Sequence, residues 1–338
     1  MRFWFLITCL WAWGLTAADN PKLKIFELVP AGQTPDLKQA SAWLKDARSK
    51  FYTTDLPEPV FRLSDLDFLG ADRKEKLDVY FSRQASTGKR PGILFIHGGG
   101  FTGGDKAENR TSSVSADWAR AGYVVVSCNY ILSTKSHPAV WPQNVAECRQ
   151  AVRWMREHAD ELGLDEKRIA VAGGSAGGYL ALMVGLAPEK PELGGDPQAK
   201  FSSRVSAVLD FYGVTESNKH GKATIAKAGP DAEKLFMPAT HLSATSVPVM
   251  VLHGDADTTV DINDSRQLVA AMREAKVEHQ FVVVTKGVHT FDLHPKGTGW
   301  KATSVRWENG QLKEEVKTSE TTELTALTLE FLQRTIGR

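Results

Sequence analysis

From residue 61 onward, short apolar runs alternate with longer amphipathic stretches. Gly92 to Ile96 is a continuous apolar run that ends in glycines. Tyr123 to Cys128, Arg168 to Ala172, Val205 to Leu209, Val247 to Leu252 and His279 to Val284 have the same character. Short runs rich in Val and Ile, bounded by turn residues, predict strands buried on both faces. Phe61 to Leu69 alternates weakly, and Lys76 to Phe81 reads as a further strand. Between the runs, Ser113 to Ala121, Asn144 to Glu161, Ala176 to Gly185, Ile262 to Ala275 and Thr322 to Thr335 read as helices. Val145, Cys148, Val152 and Met155 share one stripe of the second. This alternation predicts an α/β fold: a mainly parallel central sheet with helices on both faces and ligands beyond the carboxyl ends of the strands. Asn309-Gly310, within Val305 to Leu312, predicts a tight hairpin. Residues 213–245 are less regular and predict a small cap or loop excursion.

The first residues break the pattern. Arg2 precedes an unbroken apolar stretch, Phe3 to Leu15, followed by Thr16-Ala17-Ala18. That order predicts a secretory signal peptide over residues 1–18, too short for a membrane span, and hence a secreted or periplasmic protein with no stable membrane insertion. Residues 19–60, with five prolines and one helical stretch from Leu37 to Lys50, predict an N-terminal extension packed on a catalytic domain over 61–338. The 338-residue chain is 42% hydrophobic, enough for one large core. Lys and Arg number 41 against 40 Asp and Glu, so no basic field favours nucleic acid or an anionic membrane. Metal-ligand spacings of Cys and His are absent, and no cofactor is implied. Beyond the signal segment two cysteines remain, Cys128 and Cys148; export permits a disulfide, and two buried free thiols fit equally.

The chemistry is concentrated where predicted strands end. Ile169 to Gly178 runs a strand into G-x-S-x-G and then into a helix, which exposes Ser175 at the top of the sheet. After an earlier strand comes His97-Gly98-Gly99-Gly100-Phe101. Acyl transfer passes through an oxyanion that needs aimed N–H donors, and glycines let a backbone approach closely. The N–H groups of Gly99, Gly100 and Ala176 are therefore assigned to an oxyanion hole, with His97 as a brace for the loop. A serine nucleophile needs a base and an orienting acid, which follow it in chain order on such a sheet. His289, after the last core strand, is the expected base, with His294 as competitor; His253, ending its own strand, reads as structural. The acid comes from His253-Gly254-Asp255-Ala256-Asp257. Asp257 has the reach toward His289, while Asp255 follows the turn glycine and suits a bond to the loop backbone.

These residues resemble the hormone-sensitive-lipase-like and bifunctional feruloyl/acetyl-xylan esterase-like branch of the α/β-hydrolases. The likeness rests on His97 to Phe101 with Gly104-Asp105-Lys106, on Gly173 to Gly178, on His253 to Asp257 and on His289-Thr290-Phe291. Glu147-Cys148-Arg149 with Ala151 to Trp154 looks like that branch's helix before the nucleophile strand. The resemblance covers about residues 62–295 and implies an α/β-hydrolase fold and a serine carboxylesterase acting on small acyl esters, including acetyl or feruloyl groups on plant polysaccharide. The chain departs from it at Tyr130-Ile131, where the branch often has Tyr-Arg, and at residues 297–320, which read as an insertion. Trp300 and Trp307 there suggest a stacking surface for sugar, against the plainer reading that they pack a hairpin. Two alternatives compete. A peptidase of prolyl-oligopeptidase type shares the triad order, but residues 19–60 are too few for its usual extra domain. A non-catalytic hydrolase-like binding module leaves the intact triad and glycine loop without purpose.

Overall fold

A computed structural model describes residues 51–52, 60–82, 88–215, 231–293, 299–318 and 323–337. Residues 1–18, expected to be a signal peptide, nearly all of the expected 19–60 extension, and His294 lie outside these residues.

The elements in chain order are β1 (Phe51–Tyr52), β2 (Val60–Leu66), β3 (Leu77–Ser82), β4 (Arg90–Ile96), α1 (Asn109–Arg120), β5 (Val124–Cys128), α2 (Gln143–Glu157), α3 (Ala159–Leu162), β6 (Leu164–Gly174), α4 (Ala176–Leu186), β7 (Ala207–Phe211), α5 (Ala232–Phe236), β8 (Val249–Gly254), α6 (Ile262–Glu274), β9 (His279–Val284), β10 (Ala302–Glu308), β11 (Gln311–Lys317) and α7 (Leu324–Ile336). Among the described residues the strands form one sheet in the order β1-β2-β3-β5-β4-β6-β7-β8-β9-β10-β11. The block from β5 to β9 is parallel. Antiparallel strands finish both edges.

The apolar runs are continuous because this block is covered on both faces. Along β4 the side chains alternate: Leu94 and Ile96 join one core with α2, α4 and α6, while Ile93 and Phe95 join the other with α1 and α7. Phe95 meets Trp118 edge-on at 5.6 Å between centroids. α4 is apolar all round and buried all round, as a helix enclosed by the core must be.

Three expectations are refined. The helical period through Asn144 to Glu161 is split at His158, whose φ of −102° and ψ of 19° end α2; α3 then stops at left-handed Gly163, whose carbonyl accepts the Arg90 N–H that opens β4's pairing. The 297–320 insertion is, over its described part, the hairpin β10–β11 added to the sheet edge beside β9. Asn309 and Gly310 have φ of 52° and 73°, the two positive values of a type I′ turn. Within 213–245, α5 sends Phe236 onto Tyr179 of α4, stacked at 4.1 Å. Cys128 and Cys148 are both buried free thiols.

The chain steps from β4 outward to β5 and then back to β6 on β4's other side. Such a reversal opens a crevice at the carboxyl ends of the two strands. Ser175 follows β6 and His97 follows β4, so both motifs meet there.

Candidate active site

Ser175 sits between β6 and α4 with φ 56° and ψ −122°, a conformation that costs a non-glycine residue about 1–3 kcal/mol. The turn is held because the Ser175 N–H donates to the Phe211 carbonyl at 2.9 Å and its carbonyl accepts from Tyr179 N–H at 3.1 Å. It is also held by close backbone approach: a Cβ at Gly173 would run into the Gly177 carbonyl, and one at Gly177 into Ile96 and His97.

Ser175 Oγ lies 3.1 Å from His289 Nε2, and His289 Nδ1 lies 2.7 Å from Asp257 Oδ2. A carboxylate only accepts, so Nδ1 carries the proton and Nε2 is left to accept from the serine hydroxyl. The other Asp257 oxygen accepts the N–H groups of Thr259 and Val260, at 2.8 and 3.0 Å. Burial works against the Asp257 charge, but hydrogen bonds from His253, His289, Val260 and Thr259 outweigh it and hold the carboxyl below the usual range. Asp255 faces the other way. Its carboxylate accepts Lys286 N–H at 2.5 Å and so ties the acid loop to the histidine loop.

His253 is fully buried behind Asp257. Its Nε2 is 3.1 Å from the Val260 carbonyl and 3.3 Å from Asp257 Oδ2, so Nε2 is the donor, and its Nδ1 meets Ser265 Oγ at 2.7 Å. His97 braces the glycine loop. Its Nδ1–H donates to the Gly98 carbonyl at 2.7 Å, its ring stacks on Tyr130 at 4.4 Å, and burial lowers its pKa to about 4, so it is neutral near pH 7.

Gly99 and Gly100 both have positive φ, 111° and 61°. The Gly99 carbonyl turns back to accept Thr102 and Gly103 N–H, both at 3.1 Å. The N–H groups of Gly99, Gly100 and Ala176 have no carbonyl partner among the described residues. A cavity of about 480 Å³ opens over Ser175 and His289, walled by the Gly98–Gly100 loop, by Phe101, Val214 and Val260, and by Glu108 with Arg110.

Polar residues brace this region, and Arg73, Arg110, Tyr212 and Asp292 among them were not singled out from the sequence. Lys106 of the Gly-Asp-Lys stretch is buried and paired to Asp65 and Asp78, at 2.7 and 2.9 Å. At position 131, Ile131 offers only its N–H, to Glu147 Oε2 at 2.6 Å; the guanidinium on the other oxygen comes from Arg73, at 2.7 Å. Arg110, Tyr212 and Asp292 join beside His289. Only Asp292, three residues after His289, carries a local signal.

Of the two readings of Trp307, the packing one holds. Trp307 pairs with His279 at the start of β9, whereas His289 follows the end of β9. The five residue steps from Ala302 to Trp307 along β10 place it about 17 Å down the sheet, at the opposite end from Ser175. Its ring stacks on His279 and lies under Arg273, so it packs the hairpin and cannot receive sugar beside the serine. Trp300 packs edge-on against Phe291 in the histidine loop, at 6.1 Å.

A parallel sheet with this strand order, a serine on a strained strand-to-helix turn, and a histidine and aspartate after later strands define an α/β-hydrolase. The BD-FAE family model matches residues 77–272, and the chain belongs to that family. It is 29% identical over 294 residues to the probable carboxylic ester hydrolase LipM of Mycobacterium tuberculosis, covering 78% of this chain and 66% of that protein. It is 28% identical over 249 residues to esterase LipQ of the same organism, covering 68% and 57%. The chain thus spans under two thirds of the length of both relatives. The propionate-bound Est2 esterase of Thermogutta terrifontis superposes with a TM-score of 0.57 at 27% identity, over 66% of this chain and 83% of that one.

Proposed function

We propose that this chain is a serine carboxylesterase that hydrolyses small acyl esters through an acyl-enzyme. The observation that carries the reading is the unbroken line Ser175–His289–Asp257, at 3.1 and 2.7 Å, opening on a cavity of about 480 Å³ beside the Gly99, Gly100 and Ala176 N–H groups, which have no carbonyl partner among the described residues. His289 Nε2 takes the Ser175 proton as Oγ attacks the ester carbonyl, and Asp257 stabilises the imidazolium. Gly99, Gly100 and Ala176 N–H groups receive the oxyanion. The imidazolium returns the proton to the leaving alcohol, and water then releases the acid by the same steps in reverse.

The esterase names of the relatives support the class. The cavity's apolar walls, Phe101, Val214 and Val260, suit a short acyl group, and acetyl or feruloyl esters of plant polysaccharide are the substrates we infer. We also infer export, from Arg2, the Phe3 to Leu15 run and Thr16-Ala17-Ala18; N-terminal sequencing of the mature protein tests it.

The decisive experiment is a rate profile on nitrophenyl acetate, butyrate and octanoate, methyl ferulate and acetylated xylan, with Ser175→Ala as control and an amide of the same acyl group beside the ester. Activity on short esters that disappears in Ser175→Ala is the expected result. Activity that survives in Ser175→Ala, a preference for the amide, or silence on every ester would overturn the reading.

A further inference from the structure

Next to the Ser175–His289–Asp257 line lies a second buried polar set, drawn from three separate elements. Arg110 is in the first turns of α1 and is buried. Its Nε donates to Asp292 Oδ2 at 2.5 Å. Tyr212, in the loop after β7, donates its hydroxyl to Asp292 Oδ1. Both carboxylate oxygens of Asp292 are therefore taken, and the side chain is only 5% exposed. Burial opposes the charge on Arg110, and the adjacent Asp292 carboxylate restores it.

The set packs against His289 on one side and against Gly174, the residue before Ser175, on the other. On the histidine side, the Tyr212 ring lies against the His289 imidazole, with centroids 4.7 Å apart and planes at 60°. The Arg110 guanidinium carbon is in turn 5.0 Å from the Tyr212 ring centroid. On the serine side, the guanidinium fills the space that a Cβ at Gly174 would need, one residue before Ser175. The histidine loop needs such an anchor. Lys286 and Thr290 both have positive φ, 57° and 63°, so the loop follows no regular ladder. Asp255 fixes its beginning, through Lys286 N–H at 2.5 Å, and Asp292 fixes its far side.

We propose that Arg110, acting through Asp292 and Tyr212, is a positioning residue that sets the His289 imidazole against Ser175 Oγ. The proposal rests on the esterase reading above. A displacement of about 1 Å in a catalytic pair is enough to cost about 100-fold in rate, so an anchor spanning both partners controls turnover rather than binding. Asp292 faces no part of the cavity wall, and its work passes through the loop that carries His289.

The test uses the full chain with three variants: Arg110→Met, Asp292→Asn and the double variant. A nitrophenyl phosphonate first counts the working active sites in each preparation, so that turnover is expressed per titrated site and loss of folded protein does not enter. On nitrophenyl acetate, each single variant is expected to lower kcat per site by at least about tenfold with KM within about threefold. The double variant should be no worse than the poorer single, because the residues act as one unit. A merely structural role would lower Tm and the number of titrated sites and leave kcat per site unchanged, which overturns the proposal. A raised KM with kcat kept also overturns it, since Arg110 would then be gripping substrate. Should Arg110→Met fail to fold, Asp292→Asn, which preserves shape, decides by the same criteria. Absence of phosphonate on Ser175 in the unmodified chain would instead sink the esterase reading itself, and a labelled Ser175 with unaffected variants sinks only the positioning role.

Discussion

Beneath the Ser175 turn lies Asp210, a fully buried residue of β7 whose situation is costly. Its Oδ1 accepts Gly213 N–H at 2.8 Å and fills the space that a Cβ at Gly178 or Gly213 would need, while its Oδ2 has no partner among the described residues. Burial raises its pKa from 3.8 to about 7, against the pull of nearby His253. The folded chain thus keeps a proton that the unfolded chain has lost, so stability falls as pH rises between about 4 and about 7, by up to about 1.4 kcal/mol per pH unit. His97 works in the opposite sense over much of the same window. Its folded pKa is lowered from 6.5 to about 4, so its contribution improves as pH rises. Asp257, held below its usual range, contributes stability above its unfolded value and loses it only in stronger acid. The informative quantity is therefore a difference. Asp210→Asn keeps the acceptor for Gly213 and removes the titration, so its urea midpoint should gain on the unmodified chain steadily from pH about 4 to pH about 7. A constant offset across that range would mean that Asp210 titrates normally. The residues gathered at the candidate site were legible in sequence because each sits in a local signature: Ser175 in G-x-S-x-G, Asp257 after a strand end, His289 after the next. Arg110 and Tyr212 were not, since they reach Asp292 across 182 and 80 positions and no local pattern encodes such a meeting.

At the scale of elements, the apolar runs marked the strands to within a few residues, because burial on both faces leaves a strand few other compositions. The helix periods were as clear, yet the period that runs through α2 and α3 hid the break at His158. Leu162 continues the apolar stripe whether or not the backbone does. The hairpin β10–β11 shows the same division. Asn309-Gly310 announced its turn, but nothing local said that β10 would pair with β9, or that Trp307 would land at the far end of that strand. Trp307 stacks on His279 at 6.3 Å between centroids and takes the Arg273 guanidinium over its ring at 4.9 Å, so its aromatic area serves the hairpin. Trp307→Ala should cost about 1–3 kcal/mol, seen as a lower Tm, because the ring is half-buried. Its kcat/KM on acetylated xylan should stay within about twofold of the unmodified chain, since the ring lies about 17 Å along the sheet from the serine end. A selective loss on the polymer, with nitrophenyl acetate unaffected, would mean that the polysaccharide runs along this edge.

For the molecule as a whole, the sheet places its chemistry in the centre and its hazard at the rim. Ser175 stands at the middle of the parallel block, where the strand order reverses and helices close both faces. β11 is the opposite case: an edge strand exposed along its whole length, with Leu312 and Val316 among the most exposed large apolar side chains described. An open edge offers unpaired N–H and C=O groups to any passing strand. The net formal charge is only +1 at pH 7, so no long-range repulsion keeps two molecules apart. Protection must come from the strand itself, and β11 interleaves its apolar residues with Lys313, Glu314, Glu315 and Lys317. Glu314 is paired across to Arg306 at 3.3 Å and Glu315 along the strand to Lys317 at 3.6 Å, and Lys313 and Glu315 put opposite charges two residues apart on one face of the exposed edge. Lys313→Val together with Glu315→Val would turn the strand into a nearly continuous apolar β-former. Esterase kinetics and Tm should change little, because neither residue touches the core. Light scattering at raised concentration should instead show growth of higher species that the unmodified chain does not form. If the double variant stays as monodisperse as the parent, the edge is guarded by something other than its own charges.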